Sequence, residues 1–88
     1  MSEENILKAF ANRRRLAILK LLKTEKELVV DAIAKKIRLS FKSTSHHLRL
    51  LTALDILERD QRSINVFYRL SKDMPTFARY ILLHLSHD

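Results

Sequence analysis

The stretch that most constrains how this chain can fold runs from Leu39 to Leu54 and reads LSFKSTSHHLRLLTAL. A serine near its start is a preferred N-cap residue, and the apolar residues that follow recur at helical spacing over about four turns. One face of the predicted helix is apolar and should be buried: Phe41, Thr44, Leu48 and Leu51, widened by His47, Leu50 and Leu54. The opposite face carries hydrogen-bond donors and positive charges: Lys42, Ser43, Ser45, His46 and Arg49.

The polar face of this stretch contains no carboxylate, so it suits phosphate oxygens and base edges in the major groove of DNA. A solvated basic face is the alternative. The preceding residues favour DNA, because Leu28 to Ile37 predicts another amphipathic helix and Arg38, Leu39 and Ser40 predict a tight turn. Two helices joined by about three residues form a helix-turn-helix, which we predict over residues 28–54.

A period of two replaces the helical spacing after Leu54. Polar residues alternate with β-branched and aromatic ones from Ile64 to Leu70, and Ile56 to Asp60 is the expected partner strand. We therefore predict a two-stranded wing over residues 56–70. Its two arginines are the expected phosphate contacts of the wing: Arg59 and Arg62.

The whole fold is predicted to be mainly α with one small β-hairpin, with about five helices in a single winged helix-turn-helix domain over residues 1–88. Ser2 and Asn12 should cap the first two helices, and the arginines at 13–15 either face phosphate or form a solvated charge run.

Apolar residues of the last helix, predicted over residues 74–86, recur at the alternating spacings of three and four that are typical of helix pairing. This seam either forms a dimer interface with the first helix or covers the chain's own core. The predicted interface residues are Ile6, Phe10, Phe77, Ile81, Leu82 and Leu85.

The charge balance favours an anionic partner, because 17 Lys and Arg against 10 Asp and Glu give a net charge of +7. Double-stranded DNA is the expected one. The chain has no cysteine and no glycine, which excludes disulfides, thiolate metal sites and glycine-rich nucleotide loops. No nucleotide cofactor, membrane span or signal peptide is predicted, the expected location is cytoplasmic, and no set of catalytic groups points to an enzyme.

Three segments carry a resemblance to a known family: FANRRRLAILKLL, ELVVDAIAKKIRLS, and STSHHLRLLTALDILERD with VFYRL after it. They resemble the ArsR-type winged helix-turn-helix repressors, small dimeric bacterial and archaeal regulators that leave operator DNA when they bind an effector, often a metal ion. The resemblance implies DNA contacts from the positions of Phe41, Lys42, Ser45 and His46. Of these, Phe41 is expected to face the core instead. At the wing tip, the usual Gly and Arg of the family are Ser63 and Ile64.

The resemblance also implies two places for a metal ion. Metal sensors of the family have Cys-Val-Cys where this chain has Val29 and Asp31, so thiolate sensing there is excluded. The second family site lies on the last helix and is built across the dimer. It would bind zinc or nickel through Asp73, His84 and His87, with Ser71 at the remaining position. Serine is a poor ligand, and solvated histidines are the alternative.

The predicted function is sequence-specific binding of double-stranded DNA by a homodimeric transcriptional regulator, expected to be a repressor. Two alternatives stay open at this point. One is a winged-helix protein-interaction module that does not bind DNA specifically, and the other is a metal-responsive repressor that uses the last helix. Binding to a duplex at physiological salt would distinguish a regulator from an interaction module.

Overall fold

The computed structural model describes residues 2–85 and contains five helices and three strands in that part of the chain. In chain order these are α1 (Glu3–Phe10), α2 (Arg13–Thr24), β1 (Leu28–Val29), α3 (Val30–Ile37), α4 (Phe41–Ala53), β2 (Leu57–Arg62), β3 (Asn65–Leu70) and α5 (Thr76–Leu83). The predicted winged helix-turn-helix is confirmed, with α3 and α4 as its helices and β2 and β3 as its wing. No helix among the described residues has the length and apolar character that a membrane span requires.

Polar side chains begin three of the helices, at the residues that the sequence predicts. Each oxygen accepts a backbone N–H of the first turn: Ser2 Oγ from Asn5 at 3.2 Å, Asn12 Oδ1 from Arg14 and Arg15 at 3.0 Å, and Ser40 Oγ from Ser43 at 3.1 Å. These N–H groups have no partner within the helix, and a cap of this kind contributes about 1 kcal/mol. The starts of α1, α2 and α4 are therefore determined locally.

The sheet has three antiparallel strands in the order β1-β3-β2, one more than the two-stranded wing predicted. The additional strand corrects the predicted helix start at Leu28, because Leu28 and Val29 pair with Tyr68 and Phe67 of β3 and the helix begins only at Val30. Backbone pairing with a distant strand outweighs the local helical pattern at these two residues. The short strand joins the wing to the helix-turn-helix.

Three turns place a non-glycine residue in the left-handed region, in a chain without glycine. Arg38 ends α3 with φ 57°, Asp55 follows α4 with φ 58°, and Ser63 lies at the tip of the wing with φ 57°. Aspartate tolerates this conformation because its short polar side chain can form hydrogen bonds with the nearby backbone. The Cβ of Arg38 makes this conformation costlier, but the conformation lets the next N–H, that of Leu39, donate to the carbonyl of Ala34 at 3.0 Å. With the N–H of Arg38 donating to the carbonyl of Lys35 at 3.3 Å, this closes the helix.

The seam predicted as a dimer interface belongs largely to the core of the chain itself. Ile6, Phe10 and Leu82 are only 2%, 6% and 6% exposed, and the other predicted residues, Phe77, Ile81 and Leu85, are partly buried against the same core. The physical reason is that α1 and α5 pack on each other, so their apolar stripes cover one another. The prediction is therefore corrected for Ile6, Phe10 and Leu82, whereas Phe77, Ile81 and Leu85 keep part of their surface and stay predicted interface residues. The large apolar side chains that these helices expose are instead Leu7, Tyr80 and Leu83.

Candidate nucleic-acid interface

The helix α4 divides into a buried face and an exposed polar face, as predicted. Thr44, Leu48 and Leu51 are fully buried and fix the helix on the core. On the opposite side the helix exposes donors and positive charges: Lys42, Ser43, His46 and Arg49, with Ser45 half-buried beside them. The helix therefore presents a cationic face that contains no carboxylate, at the place where a helix-turn-helix has its recognition helix.

Phe41 departs from the prediction, because it is 59% exposed rather than packed in the core. It is the first residue of α4, and the buried face of the helix begins one turn later at Thr44. The helical spacing correctly places the two residues on the same side of the helix. It does not tell where the core ends along the helix axis, and the first turn extends past that end.

A guanidinium from α2 connects α4 to the end of α1. Nε of Arg15 donates to the carbonyl of Ala9 at 2.8 Å, Nη2 donates to the carbonyl of Lys8 at 3.2 Å, and Nη1 lies 3.2 Å from Nδ1 of His47. The neighbouring Arg14 donates to the carbonyl of Ile37 at 3.0 Å. Two of the three clustered arginines thus bind C-terminal carbonyls of other helices. The sequence pattern predicts instead that they either face phosphate or are solvated.

His47 is half-buried on α4, and the pKa of its imidazole is lowered. Burial lowers the pKa of its imidazole below the ordinary value, and the positive charge of Arg15 lowers that pKa further. Since an arginine can only donate, Nδ1 of His47 is the acceptor of the contact, and the proton of the neutral ring is on Nε2. Protonation would remove the acceptor and place two cations side by side.

The wing directs its two predicted phosphate contacts to opposite faces, because Arg59 and Arg62 are three residues apart on a strand. Arg62 is held within the protein. Its Nη2 lies 2.6 Å from Oε1 of Glu27, its Nε lies 3.1 Å from Oδ2 of Asp60, and its guanidinium carbon lies 3.9 Å from the ring centre of Phe67. The hydrogen bond from Arg62 lowers the pKa of the Glu27 carboxyl, and the same bond raises the pKa of Arg62.

A second arginine makes this outer face of the sheet a charge network. Arg69 lies 2.8 Å from Glu58, 3.3 Å from Glu27 and 3.5 Å from Asp60. Three carboxylates therefore face the two guanidinium groups of Arg62 and Arg69. The outer face of the wing is not a cationic surface, although the sequence shows two arginines there.

Arg59 lies on the other face of the wing, towards α4. It is exposed, and among the described residues no carboxylate forms a salt bridge with it. It lines a groove of about 620 Å³ between α4 and the sheet, together with Ser45 and Arg49 on one side and Val66 and Tyr68 on the other. The positive charges of the wing and of α4 therefore meet along the rim of one groove.

Within the described residues of one chain, the predicted metal residues do not form a ligand set; the predicted site combines residues of two chains and stays a prediction. Ser71 is buried, and its Oγ accepts the N–H of Asp73 at 3.1 Å. Nδ1 of His84 donates to the carbonyl of Tyr80 at 2.8 Å, and His87 lies outside the described residues. No group of three potential ligand residues lies close enough together between residues 2 and 85 to hold an ion.

Comparison with known families identifies the group to which this arrangement belongs. The family model described as "Bacterial regulatory protein, arsR family" matches residues 12–59, which is more than half of the chain. The chain belongs to the ArsR family. Members of the ArsR family are bacterial regulatory proteins, and the matched segment contains both helices of the helix-turn-helix.

Solved structures support membership of the ArsR family. Reduced HlyU from Vibrio cholerae is 32% identical, with 91% of this chain and 80% of that chain covered and a TM-score of 0.76. The DNA-binding domain of Mb0332 from Mycobacterium bovis, described as homodimeric, is 31% identical over 91% of this chain and 71% of that chain, with a TM-score of 0.78. The repressor PagR of Bacillus anthracis, 24% identical over 96% and 92% of the two chains, shares the fold with a TM-score of 0.79. A search of curated proteins found no match.

Sequence reasoning missed two features of this ArsR-family interface. One is the exposure of Phe41, and the other is the neutralised state of Arg62. The carboxylate that neutralises Arg62 belongs to Glu27, which precedes the short strand β1, and no local pattern connects the two residues. The alternation Glu58, Asp60 and Arg62 on one face of β2 was a usable signal, because it places acidic and basic side chains together on that face.

Proposed function

We propose that this chain binds a specific sequence of double-stranded DNA as a homodimer and represses transcription from it. The observation that carries the proposal is the exposed face of α4, which combines Lys42, Ser43, His46 and Arg49 and lacks any carboxylate. A net charge of +7 supports an anionic partner. The cationic face and the net charge favour DNA over a protein-interaction module.

The residues of the interface divide into two roles. Lys42, Arg49 and Arg59 supply charge to phosphates, which gives affinity that falls with salt and carries little sequence information. Ser43, Ser45 and His46 can donate and accept hydrogen bonds and are proposed to contact base edges. We assign Arg62 a smaller part than Arg59, because Glu27 and Asp60 already neutralise it.

Dimerisation is proposed through the exposed side chains of α1 and α5. Leu7, Tyr80 and Leu83 are 51%, 62% and 70% exposed on two helices that pack together. Burial of such side chains between two copies would stabilise the pair, and the homodimeric description of the Mb0332 domain supports this arrangement. Two copies related by a two-fold axis would place one α4 in each of two major grooves, about one helical turn apart.

The test is selection of genomic DNA fragments by the purified protein at fixed salt, followed by measurement of affinity for the best fragment and for random DNA. Specific binding requires a clear preference for the selected fragment, and the fragment should contain two related half-sites. Lys42→Ala should weaken binding, whereas Lys26→Ala, which removes an exposed lysine outside α4 and the wing, should not. Equal affinity for both DNAs would contradict the proposal.

Repression is tested separately with a reporter gene placed behind the selected fragment. Expression should be lower when the protein is present and should recover with the Lys42→Ala variant. Higher expression in the presence of the protein would make it an activator, with the DNA-binding part of the proposal unchanged.

A further inference from the structure

The exposed side chain of Phe41 lies in the first turn of α4, on the same side of the helix as Thr44 but past the end of the core. Five large hydrophobic side chains are strongly exposed among the described residues: Leu7, Phe41, Ile64, Tyr80 and Leu83. Three of these lie on α1 and α5, where dimerisation is proposed, and Ile64 forms the tip of the wing. Phe41 instead shares the first turn of α4 with Lys42 and Ser43, and Ser45 follows one turn later on its own side; all three are proposed to meet DNA.

Single exposed apolar residues are common on protein surfaces, so exposure alone assigns nothing to Phe41. Its position is more informative. The ring lines the groove beside Ser45 and Arg49, and it also lines the smaller hollow beside Ile64 at the wing tip. Val30 and Val66 also line both cavities. The ring of Phe41 therefore lies between the groove and the hollow, beside these two apolar side chains, at the N-terminal end of α4. The N-terminal residues of a recognition helix are those that reach base edges in the major groove.

The chemistry of the major groove restricts what a phenyl ring can contact there. Guanine, adenine and cytosine present hydrogen-bond donors and acceptors, which a phenyl ring cannot satisfy and would desolvate at a cost. Thymine adds an apolar group, the methyl on C5, which projects into the major groove. An exposed phenylalanine on this surface is therefore complementary to thymine.

We propose that Phe41 contacts the C5-methyl group of a thymine in each half-site and so determines the base preference at that position. The inference rests on the proposed function, since it requires α4 to lie in a major groove. It adds a recognised chemical group to the hydrogen bonds assigned to Ser43, Ser45 and His46. The same contact would accept 5-methylcytosine, which carries the same methyl group at the same place.

The experiment replaces the thymines of the selected fragment by deoxyuridine, one at a time, which removes only the methyl group. Wild-type protein should lose affinity by about fourfold at one position per half-site, the effect of one buried methyl group. Phe41→Ala should bind more weakly and should no longer distinguish thymine from uracil at that position. Phe41→Leu, which keeps an apolar side chain, should retain part of the discrimination.

Lys42→Ala is the matched control, because it alters the adjacent residue and acts through phosphate. It should weaken binding to every fragment and leave the uracil penalty unchanged. A uracil penalty that persists at every position in Phe41→Ala, or that is absent from the wild type, would overturn the inference while specific binding still stands. If wild-type protein prefers no fragment over random DNA, the proposed function fails and the inference fails with it.

Since Phe41 is largely exposed, its replacement should leave folding intact. Circular dichroism and thermal unfolding of Phe41→Ala provide the check. If Phe41→Ala does not fold, Phe41→Leu takes its place in the experiment. A uracil penalty in Phe41→Leu that equals the wild-type penalty at every position would then overturn the inference.

Discussion

Nη1 of Arg15 lies 3.2 Å from Nδ1 of His47, so the N-terminal end of α2 is joined to the middle of the candidate recognition helix. The same guanidinium binds the last carbonyls of α1. Helix α1 in turn packs on α5, the helix on which dimerisation is proposed. One side chain therefore lies between the proposed dimer interface and the proposed DNA interface.

Acidification should weaken this contact and the fold with it. Because the pKa of His47 is lowered in the folded chain, the unfolded chain binds the proton at a higher pH than the folded chain does. The stability that the neutral ring contributes is complete above its ordinary pKa and is lost as the pH falls through the lowered value. The free energy of unfolding should therefore decrease from about pH 7 to about pH 5.

His47→Asn is the matched variant for this pH dependence. Its side-chain oxygen accepts a hydrogen bond from Arg15 but does not titrate. Urea unfolding at several pH values should show a smaller decrease for His47→Asn than for the wild type. The same decrease in both proteins would assign the acid sensitivity to other groups.

Replacement of the two wing arginines should have unequal effects on DNA binding. Arg59→Ala should reduce the slope of log affinity against log salt by about one unit per chain, since each phosphate contact contributes about 0.9. Arg62→Ala should reduce it less, because Glu27 and Asp60 neutralise this side chain. Glu27→Gln should free Arg62 and increase the slope. A larger loss with Arg62→Ala than with Arg59→Ala would show that the salt bridges open on DNA.

His46→Ala should affect specificity more than general affinity. His46 is exposed on α4 between Lys42 and Arg49, where a side chain can reach a base edge. We expect a loss of about tenfold on the selected fragment and a smaller loss on random DNA, the magnitude of one good base contact. Lys42→Ala should weaken both alike. Equal losses for His46→Ala on the two DNAs would remove it from base recognition.

A charge on the exposed face of α5 should prevent dimerisation. Leu83→Glu places a carboxylate where an apolar side chain is 70% exposed, so the folded chain should tolerate it while an apolar interface between copies would not. Sedimentation should show a dimer for the wild type and a monomer for Leu83→Glu. Ile64→Glu, which changes an exposed residue at the wing tip, should remain dimeric. A dimeric Leu83→Glu protein would place the interface elsewhere.

Removal of one buried hydroxyl should stabilise the chain. Among the described residues, Oγ1 of Thr44 is the buried side-chain oxygen without a hydrogen-bond partner, and Thr44 is fully buried. Thr44→Val replaces that hydroxyl by a methyl group of similar size, so the free energy of unfolding should increase by about 1 kcal/mol. Thr52→Val is the control, because Oγ1 of Thr52 donates to the carbonyl of Leu48 at 2.7 Å and its loss should not stabilise. A less stable Thr44→Val protein would contradict this account.

Much of the fold follows from short-range signals in the sequence. The polar residues Ser2, Asn12 and Ser40 begin helices where predicted, because a cap acts on N–H groups only two or three residues away. The helical spacing of α4 separates Leu48 and Leu51 from the exposed polar residues, and the period of two correctly indicates β3. These signals sufficed for the helix-turn-helix and for the two main strands of the wing.

Tertiary structure decided the features that depend on residues far apart in the chain. Leu28 and Val29 form a strand because Tyr68 and Phe67 pair with them, and Arg62 is neutralised because the distant Glu27, together with Asp60, forms salt bridges with it. The sequence by itself determines which residues share a face of a helix or strand, since that depends only on the backbone period. What covers that face depends on the packing of other elements, which is why the seam of α5 is internal and Phe41 is exposed.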